Sequence, residues 1–181
     1  VLSVFQRFGG YNARLEKITT LEELLPLREH WRAQGYTVVF TNGHFELLHV
    51  GHVEYLEQAR RLGDVLIVGL NGDASTRLLK GPGRPLVPAA DRARVLAALA
   101  CVDYVIIFDQ PTAEELVAAL RPEVYVKGGD YAAQEGTPGK KFPPEARVVA
   151  RYGGRVEIIP YREGYSTSEL MARIREWKKV G

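Results

Sequence analysis

Three of the chain's four histidines, His44, His49 and His52, fall inside the stretch "TNGHFELLHVGH" (41–52). Imidazole can donate, accept, take a proton or ligate a metal near neutral pH, so this density admits a metal nest, a catalytic pair or capping side chains. His49 and His52 stand three apart, which on a helix gives them one face about one turn apart. Zinc ligands on a helix usually sit at i and i+4, so a site of His44, Glu46, His49 and His52 fits less well, and no metal bound by protein side chains is expected. Gly51 between the pair leaves the backbone open to a ligand. A helix starting here offers unpaired N–H groups and the positive end of its dipole, a seat for an anion. Two imidazoles on that seat could hold a phosphate whose charge grows as it is attacked.

The elements that position this stretch follow from the apolar pattern. "TVVF" (37–40), "DVLIVGL" (64–70), "DYVIIF" (103–108), "EVYVK" (123–127) and "RVEIIPY" (155–161) read as five strands, each a near-continuous apolar run. Helical spacing covers "TLEELLPLREHWRAQ" (20–34), Val53 to Leu62, "PAADRARVLAALA" (88–100), Ala113 to Leu120, and a last helix presenting Leu170, Met171, Ile174 and Trp177. Strands alternating with helices predict a Rossmann-like, doubly wound α/β fold: a five-stranded parallel sheet with helices on both faces. The chain reads as one domain, 1–181, with residues 1–35 a helical extension packing on it. The segment "YAAQEGTPGKKFPPE" (131–145) reads as a surface loop. In such a sheet ligands bind beyond the carboxyl ends of the strands, where the histidine stretch begins.

The bulk properties narrow the class. With 181 residues, 46% of them hydrophobic and 25% charged, the chain can build one complete core, which excludes a disordered segment. A net charge of +2 with dispersed basic residues argues against nucleic acid as partner. The single cysteine, Cys101, excludes a disulfide framework. No apolar run is long enough for a membrane span, and the start lacks the order of a signal peptide, so the expectation is cytoplasmic. Open sheet edges leave room for a homodimer.

"HVGH" after a strand resembles the HxGH signature of the nucleotidyltransferase superfamily, which includes cytidylyltransferases and adenylyltransferases. Four further segments resemble it in the same order: "VGLNGDAST", "LKGPGRPLVPAADRARVLAAL", "VKGGDY" and "GYSTSELMARI". Together they cover the chain roughly from Lys17 to Ile174, and within the superfamily are most similar to the nucleotidyltransferase domains of ADP-heptose synthases.

The resemblance implies that a phosphate oxygen attacks the α-phosphorus of a nucleoside triphosphate and pyrophosphate leaves, with Mg²⁺ carried by the triphosphate. It implies His49, His52 and Lys80 as catalytic residues. It places Thr41, Asn42, Gly43, His44, Phe45, Gly51, Arg92, Lys127, Gly128, Gly129, Asp130, Ser166, Thr167 and Ser168 around the nucleotide, and Glu46, Asp73 and Arg162 toward the second substrate. The expected reaction is transfer of AMP from ATP to a sugar 1-phosphate such as a heptose 1-phosphate, with a sugar kinase fused or separate as in some relatives. Two positions depart from the pattern: Glu46 stands where the family has Asp, and His44 where it commonly has a small or thiol side chain.

Ordinary roles compete with these. Ser166 with Glu169 spells a capping box, Asp73 suits a helix N-cap, and Cys101 suits the core. The alternative within the superfamily is a cytidylyltransferase using CTP and glycerol 3-phosphate or a phospho-amino-alcohol, because "YREGYSTS" resembles that group's R-x-x-G-x-S-T-S signature at Arg162. From another class, a non-enzymatic nucleotide-binding α/β module would share the fold. The G-x-G-x-x-G of dinucleotide dehydrogenases and the G-x-x-x-x-G-K-[ST] of P-loop proteins are both absent.

Overall fold

The structure, a computed structural model, describes residues 17–160, 164 and 167–177. In chain order the elements are β1 (Ile18–Thr19), α1 (Leu21–Ala33), β2 (Val38–Gly43), α2 (Val50–Arg60), β3 (Val65–Asn71), α3 (Asp73–Lys80) and α4 (Ala89–Ala97). They continue as β4 (Tyr104–Phe108), α5 (Glu114–Leu120), β5 (Val124–Gly128), α6 (Pro144–Arg151), β6 (Arg155–Ile159) and α7 (Thr167–Trp177).

The strands form one parallel sheet in the order β1-β4-β3-β2-β5-β6. It has six strands, not the five expected. The sixth, β1, pairs Ile18 with Val105 and Thr19 with Ile106. Two residues are too few to show a period, and β1 owes its existence to β4 and to Lys17, whose ammonium donates to Val102 O at 2.7 Å.

Both faces of the sheet are covered, which is why its strands read as unbroken apolar runs. Successive residues alternate between two cores. Val39, Leu66, Val68, Val124 and Val126 pack with α2 and α4 through Tyr55, Leu56, Ala93 and Leu96. Val38, Phe40, Val65, Ile67 and Tyr125 pack on the other face with Leu24 and Trp31 of α1, Leu116 and Leu120 of α5, and Val149 of α6. Cys101 packs against the first of these cores. The chain winds outward from β2 in both directions, so the sheet has its switch point where β2 meets β5.

Two helix starts differ from the sequence expectation. Helix α6 begins inside the segment read as a loop, with Pro144 in its first turn, a position where the missing N–H costs nothing. Helix α3 is capped at Gly72, and Asp73 is its first helical residue. The carboxylate of Asp109, beyond β4, accepts from Ala74 N at 3.2 Å and Ser75 N at 3.3 Å in place of a local cap. A Cβ on Gly72 would stand 2.2 Å from Asp109 Oδ1, so this close approach requires glycine.

Candidate active site

The carboxyl ends of β2, β3 and β5 open into a cavity of about 1010 Å³, at the upper end of the size range for small-molecule sites. From β2 and the turn after it come Asn42, Gly43, His44, Phe45, Glu46 and His49, and from α2 come Gly51, His52 and Tyr55. Helix α3 ends in the cavity with Lys80, β5 contributes Lys127 and Gly128, and Asp130 and Thr167 complete the expected residues found there.

The turn after β2 sets the histidine geometry. Phe45 adopts a left-handed backbone with φ 43°, unusual for a bulky residue and a sign of local strain. Its ring lies 5.3 Å from that of His52 and fills the space a Cβ on Gly43 would need. His49 is the N-cap of α2 in extended geometry and its own side chain makes no capping hydrogen bond, so the positive end of the helix meets the cavity at Gly51. The rings of His49 and His52 are in contact, with centroids 3.9 Å apart and planes tilted by 32°. Nδ1 of each is buried without a hydrogen-bond partner among the described residues. Burial holds His52 down at about 4, helped by His49, and burial also lowers His49 against the opposing charge of Glu169. Both imidazoles are therefore neutral donors at neutral pH, with polar atoms waiting for a partner.

Around the pair the charges are fixed by tertiary contacts. Glu46, buried, is gripped through both oxygens by Arg84, with Nε at 2.6 and 2.8 Å, and it also accepts from Leu86 N. Burial alone would raise its carboxyl, but Arg84 and the Leu86 N–H bring it below the ordinary value. Glu46 thus ties down the loop after Lys80, which the longer side chain allows. His44 shares a hydrogen bond of 3.0 Å with Thr76 Oγ1, and burial with nearby Lys80 and Arg92 holds it at about 4. Lys127 is 8% exposed, its ammonium donating to Asn42 O at 3.1 Å, and burial lowers it to about 8 against the charge of Glu145. Among the described residues, no group of three or more His, Cys, Asp or Glu is placed to hold a metal ion.

Other expected residues lie elsewhere. Arg92 is buried behind the cavity wall, donating to Val87 O (2.8 Å), His44 O (2.6 Å), Asn71 O (2.8 Å) and Asp73 Oδ1 (2.8 Å). It holds the ends of β2 and β3 to the loop before α4. Asp73, its counter-ion, also accepts from Ala89 N, so neither side chain lines the cavity. Thr41 is fully buried, bonded to Tyr55 Oη at 2.7 Å, and Gly129 stands outside the lining while its carbonyl accepts from Lys140. Arg162, Ser166 and the side chain of Ser168 lie outside the described residues. Sequence reasoning missed Arg84, Asn71, Thr112, Tyr131, Lys141 and Glu145, all of which line the cavity. Arg84 had a signal in "GPGRP" beside Lys80, as did Asn71 in "VGLNGDAST" and Tyr131 in "VKGGDY"; Thr112, Lys141 and Glu145 arrive from separate segments with none.

Comparison with known proteins gives the family. Residues 40–173 match the family model described as Cytidylyltransferase-like. The chain is 54% identical over 91% of its length to the "Bifunctional protein HldE" of Syntrophotalea carbinolica, and 51% identical over 88% to that of Trichlorobacter lovleyi. It spans about a third of those relatives, 32% and 31% of their lengths. A solved structure, the lipopolysaccharide core biosynthesis protein from Thermoplasma volcanium, superposes with a TM-score of 0.55 at 25% identity, over 72% of this chain and 99% of that one. Among the described residues no helix is long and apolar enough to cross a membrane. The chain belongs to the cytidylyltransferase-like family.

Proposed function

We propose that the protein transfers AMP from ATP to a sugar 1-phosphate such as a heptose 1-phosphate, releasing pyrophosphate. The observation that carries the reading is the His49–His52 pair in ring contact at the start of α2, each with a buried Nδ1 that has no partner among the described residues. An oxygen of the acceptor phosphate forms a bond to the α-phosphorus while the bond to the bridging oxygen breaks, and pyrophosphate takes the electron pair. Charge spreads over the equatorial oxygens, so catalysis is positioning plus electrostatic stabilisation. His49 and His52 donate to those oxygens from a water-poor wall, Lys80 brings a point charge from the end of α3, and Thr167 at the start of α7 receives the leaving phosphates. Asp130 and Glu169, both at the cavity, would meet the water shell of an Mg²⁺ carried by the triphosphate, which would offset the charge of the phosphates.

ATP is favoured by "VKGGDY", whose paired glycines let the backbone approach a wide flat base. The relatives are named bifunctional, which supports a partner activity such as a sugar kinase, fused or separate. A homodimer is part of the same proposal. The second reading, CTP with glycerol 3-phosphate or a phospho-amino-alcohol, draws on the family description and on Arg162. Pyrophosphate release measured with each of the common nucleoside triphosphates against a panel of sugar phosphates and glycerol 3-phosphate tests both. Fastest turnover with CTP and a polyol phosphate would overturn the first.

A further inference from the structure

A buried lysine needs an anion. Lys127 is 8% exposed at the end of β5, and among the described residues its ammonium makes one hydrogen bond, to Asn42 O, and no ion pair. Instead it lies over two aromatic rings, 5.1 Å from the centre of Tyr131 and 5.8 Å from that of Tyr125. Desolvating a cation without a paired charge is costly, and a site that keeps one is built for a ligand that brings the charge. Glu145 shares the pocket, but its Oε1 accepts from Ala113 N at 2.8 Å.

The strand alternation says which side this is. Phe40 and Tyr125 point into the core formed with α1, α5 and α6, and Asn42 and Lys127 follow each of them by two residues, so they face the same way. His52 stands on the opposite face, its ring against Phe45, which belongs to the core formed with α2. A phosphorus at the strand ends therefore has imidazoles on one side and the Lys127 ammonium on the other. In-line displacement puts the attacking oxygen and the leaving pyrophosphate on opposite sides of the α-phosphorus, and an ammonium on the face away from the imidazoles is free to hold the attacking group. The segment 131–141 walls the Lys127 side, held by Ala132 N donating to Lys141 O at 2.8 Å and Lys141 N donating to Asp130 O at 3.1 Å.

We propose that Lys127 binds the phosphate of the acceptor, in a subsite walled by Tyr131, Lys141 and Glu145 on the face of the sheet opposite the histidines. The inference rests on the proposed nucleotidyl transfer and names where its second substrate sits. Lys127 thereby leaves the nucleotide, where the sequence placed it, and fixes the attacking oxygen. The oxygen forms the new bond to the α-phosphorus, the bond to pyrophosphate breaks, and no proton transfer is needed because the phosphate attacks as an anion. The chemical class of acceptor is a phosphate monoester, with Tyr131 offering an aromatic face to the remainder.

Lys127→Met keeps the length and removes the charge, and Lys127→Gln is read as well in case the first does not fold. Calorimetry with MgATP alone should give an affinity within about twofold of wild type, while kcat/KM for the acceptor falls roughly 100-fold or more. A loss of about tenfold in MgATP affinity with acceptor kinetics untouched overturns the proposal, and so do kinetics unchanged throughout. A readout without turnover separates the subsite from the identity of the sugar. Protein with isotope-labelled lysine, its nucleotide pocket filled by a non-hydrolysable MgATP analogue, is titrated with inorganic phosphate while the Lys127 ammonium resonance is followed. A saturable shift, absent from Lys127→Met, supports the subsite, and a resonance that does not move overturns it. A saturable shift in a protein that turns over no sugar 1-phosphate supports the subsite and overturns the sugar reading.

Discussion

Nucleoside triphosphate binding should pull a proton onto the histidine pair. In the free protein His52 is held at about 4 by burial and by His49, so at about pH 6 only about one molecule in a hundred carries the charge. A phosphate charge at about 4 Å, at an effective dielectric constant of about 20, interacts with an imidazolium by about 4 kcal/mol. One pKa unit is about 1.4 kcal/mol, so His52 rises by about three units, to about 7, and becomes about nine-tenths protonated. Lys127, at about 8, is already charged and adds nothing at this pH. The assay is calorimetric titration in two buffers of different ionisation heat, with Mg²⁺ in excess so that the terminal phosphate is already deprotonated. Wild type should take up between about 0.5 and 1 proton, and His52→Asn close to none. Uptake below about 0.1 proton in wild type, or full uptake retained in His52→Asn, would refute the reasoning.

The same depression makes the free protein acid-sensitive: because the folded value lies below the ordinary 6.5, the contribution of His52 is complete above that pH and lost on the way down to about 4, about 3 kcal/mol at most, readable as a falling midpoint in urea. His49→Ala or His52→Ala should each lower kcat by about 10²–10³ in a folded protein, and near-normal turnover in both would remove the pair from the mechanism. Arg92→Met strips three backbone carbonyls and Asp73 of their donor, so chemical denaturation should show a loss of about 3–5 kcal/mol; a loss below about 1 kcal/mol would mean that water replaces the guanidinium. In competition calorimetry with Mg²⁺, ATP should bind more tightly than CTP, and a preference for CTP of about tenfold, about 1.4 kcal/mol, reverses the choice of base.

What could be read from the sequence was whatever a local pattern encodes. The central strands were legible because burial on both faces leaves no polar interruption in "TVVF" or "DVLIVGL". The histidine pair was legible because its spacing, its glycine and the preceding strand are contiguous. Contacts across long sequence separations were not. Glu46 and Arg84 are 38 residues apart, and nothing near either announces the pairing that pins the loop after Lys80. The resemblance puts Arg92 around the nucleotide, yet its guanidinium donates to backbone carbonyls at two strand ends and the loop before α4. Helix α6 was hidden by the Gly- and Pro-rich run before it, although Ala146, Val148 and Val149 bury one face.

The remote cap of α3 makes the helix bearing Lys80 a dependent of the strand order. Its first amides rest on Asp109, and Gly72 N donates to Phe108 O at 2.7 Å, so the helix start is completed only after β4 has docked beside β3. Lys80 lies at the far end of this eight-residue helix, too short to persist in water by itself. Docking of β4 on β3 and arrival of the Lys80 charge at the cavity are therefore one cooperative event. Hydrogen exchange at Ala74 and Ser75 should follow the opening of β4 and not fraying of the helix. Opening the chain between β3 and β4, as a circular permutation would, keeps every residue and disconnects the cap from what it caps.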